Sequence, residues 1–102
     1  MSKFVYVYTG GQRAETPEAQ EQVMQAWTEW FGTLGDGVVD IGNPFGASAS
    51  VKDGGSVSGG TSALTGYSIV SAASLDEATK NAKACPVLSS GGAVEVYEVI
   101  PM

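Results

Sequence analysis

Over residues 3–9, Phe4, Tyr6 and Tyr8 alternate with Val5 and Val7. Both sets are β-branched or aromatic, so the segment reads as a strand covered on both faces. Helical spacing follows: Val23, Trp27, Trp30, Phe31 and Leu34 make a stripe along one helix face, and Glu18, Gln22, Gln25 and Glu29 fall largely elsewhere. Thr16-Pro17-Glu18 marks the start of that helix. Thr16 can accept first-turn amides, Pro17 suits the first helical position, and Glu18 suits the positive end of the dipole. The helix is expected to end around residues 32–35.

Val38-Val39-Asp40-Ile41 is a short second strand, closed by Gly42-Asn43-Pro44-Phe45-Gly46. Residues 46–64 are then mostly Gly, Ser, Ala and Thr. Within them Asp53-Gly54-Gly55 separates Ser50-Val51-Lys52 from Ser56-Val57-Ser58, a hairpin signal, although such composition also suits a surface linker. Residues 65–71, with Tyr67, Ile69 and Val70, read as the third main strand. Ser74 and Glu77 form a capping box that opens a second helix at Leu75. Its apolar positions Leu75, Ala78, Ala82 and Cys85 share a face, and Pro86 is expected to end it. Val94, Val96, Tyr97, Val99 and Ile100 supply a last strand over residues 93–100.

The order is therefore β-α-β-β-α-β with an extra β-hairpin in the 46–64 insertion, a ferredoxin-like α+β domain spanning residues 1–102. Two right-handed crossovers in one sheet place both helices on the same face. The other face, apolar and uncovered, predicts a homodimer.

Length agrees, since 102 residues suffice for one hydrophobic core and not for two. Apolar residues make up 43% and charged residues 16%, which fits a surface partly covered by a partner copy. A formal charge of -6 gives no attraction for a phosphate backbone or an anionic lipid surface, so neither nucleic acid nor membrane is expected as a partner. No run approaches a membrane span, and the opening residues hold too short an apolar stretch for a signal peptide. One cysteine, Cys85, forms no intramolecular disulfide, so the expected location is cytoplasmic. The chain has no histidine, which removes Ser-His-Asp and Cys-His nucleophile activation and His-ligated zinc.

The opening Lys3-Phe4-Val5-Tyr6-Val7-Tyr8, the segment Gly42-Asn43-Pro44-Phe45-Gly46, and Leu64-Thr65-Gly66-Tyr67 leading to Ser74-Leu75-Asp76-Glu77-Ala78 and closing Cys85-Pro86 together resemble the YCII-related (DGPF) family. The resemblance covers nearly the whole chain. It implies a dimeric α+β barrel in which two sheets pack face to face. Most members have no established activity. Some look like small enzymes with a proposed acid-base pair, a histidine on the first helix and an aspartate after it. Others look like partners of sigma factors of the extracytoplasmic-function type. Here Asp36 stands about where that aspartate would, and Trp27 or a neighbour occupies the histidine region, so the pair does not carry over.

The expected site is a pocket between the first helix and the sheet, where Tyr8, Trp27, Asp40, Asn43 and Phe45 would converge on a small organic ligand. Trp30 and Phe31 are assigned to the core. Asp40, within an apolar strand, is either exposed at an edge or buried with a raised pKa and able to act as an acid or base; the edge is the preferred reading. Asp36, between glycines, reads first as a turn residue and second as a catalytic candidate. Asp36, Asp40 and Asp53 match no metal-binding loop, Cys85 reads as a buried small hydrophobe, and the Gly-rich segment is no phosphate loop. No metal or cofactor is expected, and whether the chain is an enzyme stays open. The alternative function is a regulatory or protein-interaction module without catalysis, of the sigma-factor-associated kind.

Overall fold

The structure, a computed structural model, describes residues 1–11, 15–55, 57–60 and 63–101. Its elements run β1 (Ser2–Thr9), α1 (Pro17–Leu34), β2 (Val38–Asp40), β3 (Ser50–Val51), β4 (Val57–Ser58), β5 (Leu64–Ala72), α2 (Leu75–Ala82) and β6 (Ala93–Glu98). Short 3-10 turns occupy Gly35–Gly37 and Pro86–Ser90. Four strands form one antiparallel sheet in the order β2-β5-β1-β6, and β3 with β4 forms the separate two-stranded hairpin. This is the ferredoxin-like order, each crossover helix linking two strands that lie on either side of a third.

Local chemistry sets the element boundaries. The Thr16 hydroxyl accepts from the Ala19 amide at 3.1 Å, with Pro17 in the first turn, and Gly35 at φ 54 closes α1 by donating to Phe31 O. At α2 the Ser74 hydroxyl accepts from Glu77 N at 3.1 Å. The Glu77 carboxylate reaches back one residue further than a reciprocal box would, accepting from Ala73 N at 3.2 Å. The second helix stops four residues short of Pro86. Lys83 N bonds to Lys80 O and Cys85 N to Ala82 O, so its end tightens into i→i+3 bonds before the proline arrives.

Strand alternation sorts side chains to the two faces. Phe4, Tyr6 and Tyr8 are buried towards the helices, opposite Val70, Ser68 and Gly66 on β5. With Trp30, Ala72, Ala78, Ala82, Cys85 and Val87 they make the core, and Trp27, Phe31, Leu34, Val94 and Val96 pack around it. Alanines at 78 and 82 let α2 sit close enough for the Tyr6 hydroxyl to donate to Ala78 O at 2.5 Å. Each aromatic so buried contributes about 1.5–3 kcal/mol. Val23, expected on the core stripe, is 43% exposed instead, because the stripe facing the sheet begins at Trp27.

The opposite face carries half-buried Val5, Val7, Tyr67 and Ile69, with Tyr97, paired to Val5, 55% exposed. No helix of the described residues is long and apolar enough to cross a membrane.

Candidate functional site

The five residues expected to converge are divided by the sheet. Tyr8 and Trp27 meet on the helical side, ring centroids 5.0 Å apart and edge to face. Trp27 also meets Trp30 edge to face at 5.7 Å, and Trp30 stacks on Tyr6 at 5.8 Å. Phe45 is stacked instead on Tyr67, at 5.7 Å, and Tyr67 belongs to the face away from the helices. Asp40 and Asn43 lie in the edge turn between them. The Asp40 carboxylate accepts from Gly42 N at 2.9 Å, an Asx turn, and Asn43 O accepts from Tyr67 N. Asp40 is exposed, and its carboxylate serves the backbone there.

A buried hydroxyl chain joins the two regions. Tyr8 OH donates to Ser68 Oγ at 2.7 Å, and Ser68 Oγ donates to Ile41 O at 2.5 Å. Ser68 is wholly inaccessible. Among the described residues no buried side-chain nitrogen or oxygen lacks a partner. Burial pushes the Tyr8 hydroxyl well above its ordinary pKa, with smaller contributions from nearby Cys85 and Tyr6, and the Ser68 bond offsets only part of this. Burial, then the proximity of Cys85 and Glu77, pushes Tyr6 up to about 12. Both phenols are structural donors at neutral pH.

Among the described residues, a larger and a smaller hollow flank this core. The larger, about 740 Å³, lies between α1 and the Pro86–Ser90 turn. Its α1 wall is Ala19, Gln22, Val23, Ala26, Trp27, Glu29, Trp30 and Thr33; its other wall is Ala84, Pro86, Val87, Ser89 and Ser90, with Gly10 and Gly11 at one end. The wall is brought in by close backbone approach: a Cβ on Gly92 would sit 2.6 Å from both Thr9 O and Val87 Cγ2. The Thr33 and Ser90 hydroxyls are already donating to Trp30 O and Val87 O, which leaves Gln22, Glu29 and Ser89 to address a ligand. An apolar, aromatic floor with a few polar groups at the rim is the usual composition of a small-molecule site.

The smaller hollow, about 260 Å³, includes Tyr6, Leu34, Asp36, Ser71, Glu77 and Asn81. Asp36, in the turn after α1, is therefore placed with Glu77, whose carboxylate is engaged at Ala73 N. Cys85 is buried, and burial raises its thiol to about 11 despite the bond from the Val87 amide, so it is no activated nucleophile. Among the described residues no group of three or more His, Cys, Asp or Glu side chains is placed to hold a metal ion.

Sequence reasoning placed Trp27 beside Tyr8 and missed the groove wall at residues 84–90. It also missed Ser68, whose signal was there: a hydroxyl between Tyr67 and Ile69 in a strand otherwise destined for the core.

Sheet order, helix placement and buried aromatic layer define a ferredoxin-like α+β domain with an aromatic groove on its helical side. Within that class the chain belongs to the YCII-related domain family, which it matches over residues 3–102. Comparison with curated proteins gives no match to the chain.

Proposed function

We propose that this YCII-related protein binds a small organic molecule in the groove between α1 and the Pro86–Ser90 turn, and works as a homodimer joined through the open face of its sheet. The observation that carries the reading is the groove itself: about 740 Å³, walled by Trp27, Trp30, Val23 and Val87, with few polar groups. That volume suits a drug-sized ligand. The dimer is supported by Val5, Val7, Tyr67, Ile69 and Tyr97 sharing the face that no helix covers among the described residues.

The test is ligand-observed NMR with a panel of small aromatic compounds on the wild type and on Val23→Trp, which puts an indole into the groove from a position already 43% exposed. Binders lost in the variant, with the amide spectrum otherwise kept, support the groove. Binders indifferent to the substitution place the site elsewhere.

A protein-interaction role is the second reading, and a specific observation favours it. In the β3-β4 hairpin Val51 is 72% exposed, and two short strands are marginal without something to pack on. A partner that co-purifies and is lost on replacing residues 49–59 by a short Gly-Ser linker would support that reading.

A further inference from the structure

We infer that the groove selects flat organic cations over anions, with Trp27 offering its ring and Glu29 its carboxylate. The inference rests on the groove being the ligand site and adds the charge class of the ligand.

The argument is one of charge complementarity. On α1, Val23, Trp27 and Trp30 form an aromatic and apolar row, and Gln22, Ala26, Glu29 and Thr33 form the row beside it. Both rows line the hollow, so a carboxylate stands alongside the aromatic surface. Glu29 is the sole charged side chain among the described lining residues. Lys3, Lys52, Lys80 and Lys83 are exposed and outside the lining, although Lys83 precedes Ala84 in the chain, and Arg13 lies outside the described residues. Glu15, Glu18 and Glu21 add negative charge near the start of the same helix, on a chain of formal charge -6. An anionic ligand would enter against that field with no described cation to receive it. A cation gains from the indole ring and from the carboxylate together. Small residues at Ala19, Ala26 and Ala84, with Gly10 and Gly11, leave room for a planar body, and Gln22 and Ser89 can accept from its nitrogen.

Three probes on one naphthalene ring, close in size, differ chiefly in charge: 2-naphthylmethylammonium, 2-naphthylmethanol and 2-naphthoate, titrated at pH 7 into the full chain. The readout is the pair of indole N–H signals, assigned through Trp27→Phe; Trp30 Nε1 is the one bonded to Asn81 O at 3.1 Å. The ammonium is expected to bind about 5-fold more tightly than the alcohol, from a cation-ring contact and a surface ion pair together. The naphthoate is expected not to shift either signal. Glu29→Gln should cut the ammonium's advantage over the alcohol to about 2-fold and keep the fold, since the side chain is exposed.

Naphthoate binding as tightly as the ammonium, and competing with it, would overturn the charge assignment while leaving the groove as the site; loss of that binding in Arg13→Ala would trace it to the arginine. An ammonium preference untouched by Glu29→Gln would remove Glu29 from recognition and overturn the inference as stated. Silence from both indoles with all three probes would remove the groove reading itself, and this inference with it.

Discussion

Tyr8→Phe should rescue Ser68→Ala. Tyr8 and Ser68 are 6% and 0% exposed, and the hydroxyl chain runs Tyr8 OH to Ser68 Oγ at 2.7 Å and Ser68 Oγ to Ile41 O at 2.5 Å. Removing the phenol alone keeps the ring against Trp27 and leaves Ser68 still donating to Ile41, so no buried donor is orphaned. The cost is that of one hydrogen bond, about 1 kcal/mol. Ser68→Ala strands the Tyr8 O–H in the core and deprives Ile41 O of its donor, about 3 kcal/mol when a lost bond is added to the desolvation of an unpaired group. In the double variant the stranded hydroxyl is gone and only the Ile41 carbonyl is short of a partner, for about 1–2 kcal/mol. The double variant is therefore more stable than Ser68→Ala by about 1–2 kcal/mol, a coupling of opposite sign to simple addition. Urea unfolding at fixed protein concentration measures it, fixed because association would shift apparent stability. Single-variant costs that add to about 4 kcal/mol in the double would show that the two hydroxyls do not depend on each other, and the buried chain as described would be wrong.

Three other outcomes follow from the same structure. Gly42 has φ +81, and a Cβ there would lie 1.7 Å from Tyr67 O, so Gly42→Ala should destabilise by about 3 kcal/mol or more and speed amide exchange at Tyr67; an unfolding midpoint at the wild-type value would contradict the geometry. Burial raises Tyr6 from 10.0 to about 12 and Cys85 from 9.0 to about 11, and raises Tyr8 likewise, so the folded state holds these protons while the unfolded chain releases them. Stability should be whole below about pH 9 and then fall, at up to about 1.4 kcal/mol per pH unit for each group; Cys85→Ala should delay the onset to about pH 10, and an onset unmoved in that variant would count against the thiol. For the proposed dimer, Val7→Lys at the middle of the open face should weaken self-association by about 100-fold or more in analytical ultracentrifugation, since a lysine would be desolvated there; unchanged association, or a wild type that is monomeric, would overturn that interface.

Elements governed by neighbours in the chain were legible. Thr16-Pro17, the Ser74 cap and the Asp53-Gly54-Gly55 turn are short-range chemistry, and each stands where its residues indicate. The alternation of β1 likewise announced a two-faced strand, because period two survives any choice of partner strand. What failed depends on distant approach. Pro86 was a sound stop signal, but α2 had already tightened at Lys83 so that Cys85 could turn under the sheet. The groove wall forms because Gly92 admits Thr9 O and Val87 to near contact, a meeting between segments more than 70 residues apart that no local window shows. Phe45 fell on the other face from Tyr8 because the edge turn at Asp40 and Gly42 pairs Pro44 with Gly66 and sets Phe45 over Tyr67, a consequence of register.

The distribution of polar groups constrains what chemistry the groove can support. The core spends its hydroxyls on itself: Tyr6 is bonded to Ala78 O, Tyr8 to Ser68 and Ser68 to Ile41 O. The raised phenols and thiol hold their protons through the neutral range, and the chain contains no histidine. None of these buried groups is therefore poised to exchange a proton near neutral pH. Glu29 is the one carboxylate among the described groove residues, whereas Asp36 and Glu77 stand at the other hollow and Asp40 at the edge turn. A lone carboxylate beside an aromatic surface is what the proposed recognition of a cation needs.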